Sequence, residues 1–131
     1  MKDLQAYCSK LLKDLISIPS FDEEQFPKMQ EFILDKLRDL GCEAFVDTTS
    51  GSIIARKSVN RNDKTILLSA LYVTVGPTTA WTIDPLIPKE KNGRVYGLGA
   101  SDCKGGIVSI LAALKRAKPS NYAVLVINGY E

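Results

Sequence analysis

The sequence predicts an α/β domain, a mixed β-sheet flanked by helices, and three observations predict it. Apolar residues recur at helical spacing in two N-terminal stretches and one C-terminal stretch. Short apolar runs of strand length, separated by turn residues, lie between them. The resulting order, α-α-β-β-β-β-α-β, suits helices packed on a sheet with both parallel and antiparallel neighbours.

The first helix is predicted over residues 4–18, where Leu4, Cys8, Leu11, Leu12, Leu15 and Ile16 share a face and Pro19 closes the run. A second follows in "SFDEEQFPKMQEFILDKLRDLG". Ser20 with Glu23 matches a capping box, Pro27 suits only the first helical turn, and Gly41 is placed to stop the helix. The period then changes to that of strands. "EAFVD" and "SIIAR" around "TTSG" predict a hairpin, and "KTILLSAL" reads as a more buried strand. "KNG" is a turn feeding a short strand at "RVYG". "CKGGIVSILAALKRAK" has helical spacing at Ile107, Ile110, Leu111 and Leu114 with a basic last turn, and "YAVLVING" reads as a strand in mid-sheet.

At 131 residues the chain is expected to form a single domain, 1–131. It is 45% hydrophobic and 24% charged with a formal net charge of +2, a balance that implies neither nucleic acid nor membrane as a partner. No apolar run approaches the roughly 18 residues of a spanning helix, and "MKDLQAYCSK" lacks a secretory apolar core, so the expected location is cytoplasmic. Cys8, Cys42 and Cys103 are odd in number and widely spaced, which fits reduced thiols used as core filler. There is no histidine. That removes the usual neutral-pH acid-base group and the commonest metal ligand.

Ser69-Ala70-Leu71-Tyr72-Val73, Trp81, Asp84-Pro85, Gly97-Leu98-Gly99 and Asp102-Cys103-Lys104-Gly105-Gly106 follow one another in a spaced frame. This frame resembles that of the zinc-dependent amidohydrolases and exopeptidases grouped around acetylornithine deacetylase, succinyl-diaminopimelate desuccinylase and glutamate carboxypeptidase. In that family the first element is serine-glycine-histidine-x-aspartate and the last is aspartate-x-lysine-glycine-glycine. The wording "YGLGASDCKG" is most similar to the acetylornithine deacetylase branch.

The resemblance implies a truncated half of a zinc-exopeptidase-like catalytic domain, without the lid or dimerisation domain and the C-terminal catalytic half. It implies two zinc ions about 3.5 Å apart activating a water for attack on an amide carbonyl. Asp102 stands at the bridging-ligand position, and Glu131 at the position of the general base. Leu71 stands where the family has a histidine ligand, and Val73 where it has the aspartate that orients that histidine. With both lost, no zinc is expected to bind and the chain is expected to be inactive. The family also carries a non-proline cis peptide just after the aspartate, here Asp102–Cys103.

Plainer readings stand beside these. Without the frame, Asp102 reads as a cap for the following helix, Trp81 as a packing anchor and Lys104 as a solvated or capping cation. Leu71 and Val73 either close the former cleft by packing or present an apolar patch. A sheet edge left unpaired invites a partner strand, so homo-oligomer formation through that edge or the apolar face is the expected partnership.

Overall fold

The computed structural model describes residues 1–118 and 121–127. Helix α1 spans Lys2–Ile16 and buries Leu11, Leu15 and Ile16. A single 3-10 turn, Glu23–Gln25, leads directly into α2, Phe26–Asp39, which buries Phe26, Met29, Ile33 and Leu37. Pro27 occupies the first turn of α2, where no intrahelical donor is needed. Gly41 leaves α2 at φ +83, a left-handed conformation that favours glycine.

The expected Ser20/Glu23 capping box is corrected: the reciprocal pair is Asp22 with Gln25. Gln25 Oε1 accepts the N–H groups of Phe21 and Asp22 at 2.9 and 3.2 Å. Ser20 is instead fully buried and donates to the carbonyl of Tyr72 at 2.6 Å. A distant buried carbonyl outcompeted the local turn.

The strands are β1 Glu43–Val46, β2 Ile53–Lys57, β3 Ile66–Leu71, β4 Lys89–Lys91, β5 Arg94–Tyr96 and β6 Tyr122–Ile127; helix α3, Gly105–Arg116, lies between the last two. Four of them form a sheet in the order β1-β2-β6-β3, antiparallel except for the parallel β3–β6 pair. The sheet is mixed, as expected, and β6 is an interior strand. β4 and β5 form a separate hairpin whose turn places both Asn92 and Gly93 at positive φ. β4 was not expected as a strand, because "KEK" carries no apolar alternation.

Register assigns the two faces of the large sheet. The rows Val46–Ile53–Val126–Ala70 and Ala44–Ala55–Val124–Leu68 face the helices. Ile53, Ala55, Ala70, Val124 and Val126 join residues of α1, α2 and α3 in one core. Phe45, Ile54, Leu67 and Leu71 alternate onto the other face and are exposed. The expectation that "KTILLSAL" is a more buried strand is therefore corrected: β3 is an edge strand among the described residues, and Leu67 is 64% exposed. No helix among the described residues is long and apolar enough to cross a membrane.

Candidate functional site

The carboxyl end of β3 and the bend before α3 converge on an open pocket of about 350 Å³. Its lining includes Phe21, Leu71, Val73, Thr74 and Asp102. Three of the four positions singled out by the sequence are thus brought together; the fourth, Glu131, lies outside the described residues.

Strand geometry explains the convergence. Past β3 the chain stays extended, so alternate side chains take opposite sides. Tyr72 points inward and is fully buried, its ring set edge-on to Phe26 at 5.4 Å between centroids. Its hydroxyl donates to Gly51 O at 2.8 Å and accepts from Gln30 Nε2 at 2.9 Å, while burial pushes the phenol above its ordinary pKa. The Ser20 hydroxyl holds the Tyr72 carbonyl, and Thr74 N–H donates to Ser20 O at 3.0 Å. With residues 72 and 74 pinned, Leu71 and Val73 are turned toward the pocket.

The opposite wall is the kinked turn Ala100–Lys104. Gly99 precedes it at φ +76, and a Cβ there would meet Thr74 Cγ2 at 2.5 Å and Lys104 Cδ at 3.2 Å. The peptide Asp102–Cys103 is cis, as the resemblance implies. Asp102 does not cap α3: the helix is entered through Lys104 with no side-chain cap hydrogen bond, so the capping alternative is corrected.

The Lys104 side chain is neither solvated nor capping the helix. It is fully buried, donates from Nζ to Ile18 O at 2.9 Å, and burial lowers its pKa to about 8. Nearby, the buried Thr74 hydroxyl has no hydrogen-bond partner among the described residues. Neither feature was legible in the sequence, where Lys104 read as a solvated or capping cation. The thiols Cys8, Cys42 and Cys103 are all free, with Cys42 buried and the other two half-buried.

Leu71 remains 36% exposed and Val73 is half-buried, so these two apolar side chains line the pocket without closing it. A two-metal centre needs three or four protein donors per ion. Asp102 is the one carboxylate in this lining, and no group of three or more histidine, cysteine, aspartate or glutamate residues assembles among the described residues. The described residues of this lining do not by themselves supply the donors of such a centre.

With that geometry in hand, the relatives decide the lineage. Residues 72–130 match the model of Peptidase family M20/M25/M40. The succinyl-diaminopimelate desuccinylase of Delftia acidovorans (strain DSM 14801 / SPH-1) is 33% identical over 116 residues, covering 81% of this chain and 30% of that protein. The chain belongs to the M20 family. A cysteinylglycine-S-conjugate dipeptidase from Corynebacterium striatum is 37% identical over 90 residues, 65% of this chain and 20% of its own length. The fold matches human carnosine dipeptidase 1 with TM-score 0.79 at 20% identity, over 95% of this chain and 32% of that one. It matches the M20 family metallo-carboxypeptidase Sso-CP2 from Sulfolobus solfataricus with TM-score 0.77 at 23% identity, over 89% and 29%. The chain thus spans about a third or less of the proteins it resembles, within the N-terminal part of the family fold. Its curated relatives are acyl and peptide hydrolases, and metallopeptidases of this family use zinc.

Proposed function

We propose that this M20 chain carries the scaffold of an N-acyl amino acid hydrolase of the acetylornithine deacetylase type, with its metal-dependent activity silenced at positions 71 and 73. One observation carries the reading: Leu71, Val73 and Asp102 line one pocket that retains a single carboxylate. Leucine offers no lone pair to a cation, and valine could not orient a ligand even if one were present. In this reading Asp102 stands at the bridging-ligand position, and the rest of the pocket lining offers no second carboxylate, imidazole or thiolate.

Purified protein equilibrated with zinc and then desalted is expected to retain no stoichiometric metal by elemental analysis, and to leave N-acetyl amino acids unhydrolysed. The double substitution Leu71→His, Val73→Asp is expected to tighten zinc binding at least tenfold, since it returns a nitrogen donor and its oriented partner to the pocket. Chelator-sensitive hydrolysis by the unsubstituted chain would overturn the proposal.

A second reading is self-association, favoured by the exposed row Phe45, Ile54, Leu67 and Leu71 and by β3 at the sheet edge. Exposed edges template further strands. Sedimentation velocity across a concentration series discriminates: a constant monomer removes this reading.

A further inference from the structure

A second concavity, independent of the reading of Asp102, lies against the β4–β5 hairpin. It is an open groove of about 670 Å³ whose lining includes Trp81, Ile83, Lys89, Lys91, Val95 and Tyr96. Trp81 was expected to be a packing anchor; it is instead 37% exposed and forms part of this groove, as does Tyr96 at 44%.

The charge arrangement of the hairpin follows from strand alternation. Lys89 and Lys91 share one face of β4, and Glu90 takes the other. There the Glu90 carboxylate accepts from Ser9 Oγ at 2.7 Å and from Lys13 Nζ at 2.8 Å on α1, contacts that hold it below the usual carboxylate range. The single acid of β4 is therefore occupied elsewhere. Across the hairpin, Lys89 is paired with Tyr96 and Lys91 with Arg94, so three cations and an aromatic ring share a face. Lys89, Lys91 and Arg94 form no ion pair among the described residues, and the groove lining contains no carboxylate.

We propose that this groove binds an extended acidic peptide, with carboxylates on Lys89 and Lys91 and an apolar side chain seated between Trp81 and Tyr96. Carboxylates two residues apart in an extended peptide repeat at about 7 Å, the spacing of alternate residues on β4. The aromatic floor distinguishes this ligand from a bare polyanion, because a flat apolar surface contributes only when an apolar group covers it.

Trp81 is the one tryptophan in the chain, so its emission reports occupancy directly. Titration of the 131-residue chain with the peptide Glu-Ser-Glu-Ser-Phe is expected to shift that emission saturably. The affinity should fall as salt is raised, and Gln-Ser-Gln-Ser-Phe should bind at least tenfold more weakly. The double variant Lys89→Gln, Lys91→Gln, both at exposed positions, should lose at least tenfold for the acidic peptide while its far-ultraviolet circular dichroism and denaturation midpoint match those of the parent chain. Equal binding of the neutral peptide, undiminished binding by the double variant, an equivalent response to inorganic polyphosphate, or no response at millimolar peptide would each overturn the proposal.

Discussion

The two faces of the four-stranded sheet are built from similar residues and meet opposite fates. On one, Ile53, Val124 and Val126 are at most 2% exposed beneath the three helices. On the other, Phe45, Ile54 and Leu67 stand in solvent, although each is as apolar as its counterpart across the backbone. Side-chain type alone does not make a core residue; the amphipathic stripe of a helix laid over it does.

The largest effect that would sharpen this contrast is truncation on the packed face. Ile53→Ala should cost about 2–5 kcal/mol, read as a lower denaturation midpoint at unchanged slope. A loss under about 1 kcal/mol would mean that the packed face is not packed.

A smaller effect concerns the cation enclosed beside that core. Below about pH 8 Lys104 is charged in both the native and unfolded chain, and the native state bears the whole cost of burying it. Between about 8 and the ordinary lysine value of 10.5 the unfolded chain binds more protons, so stability contributed at this site rises with pH and then levels off. Relative to Lys104→Met, wild type should gain on the order of 2 kcal/mol across that window, measured by denaturant titration at each pH. A difference that stays flat would show that the amine reaches water.

The smallest effect belongs to the open face. Leu67→Lys should change stability by less than about 0.5 kcal/mol, because the side chain already meets solvent. If the face is an interface between copies, the same substitution should instead dissociate a dimer seen by sedimentation for the wild type. That outcome would break the contrast by showing both faces covered.

Much of the fold was legible because its signals are local. The helical stripes of α1, α2 and α3, the hairpin around "TTSG" and the interior position of β6 all follow from periodicity and turn residues within a few positions. What escaped depends on partners distant in sequence. β3 and β6 are equally apolar, yet only strand order makes one an edge. Ser20 left its expected capping role for a carbonyl 52 positions away, and Lys104 found Ile18 at a separation of 86. At the site, the frame located Leu71, Val73 and Asp102 in one pocket, since a strand end and a glycine-framed bend have strong sequence marks. It could not reveal the orphaned hydroxyl of Thr74 or the groove beside Trp81, which exist only once the loops are folded against each other.

Asn121, just ahead of β6, ties down the loop between β2 and β3 with four side-chain hydrogen bonds. Its carbonyl oxygen accepts from the backbone of Val59 and Asn60 at 2.7 and 3.0 Å, and its amide nitrogen donates to the carbonyls of Asn60 and, at 3.1 Å, Asp63. Conversion of this one amide to a carboxylate by ageing would turn both donations into oxygen–oxygen repulsion. The loop's shape is thus stored some sixty residues downstream, in a group that slow chemistry can erase without cutting a peptide bond.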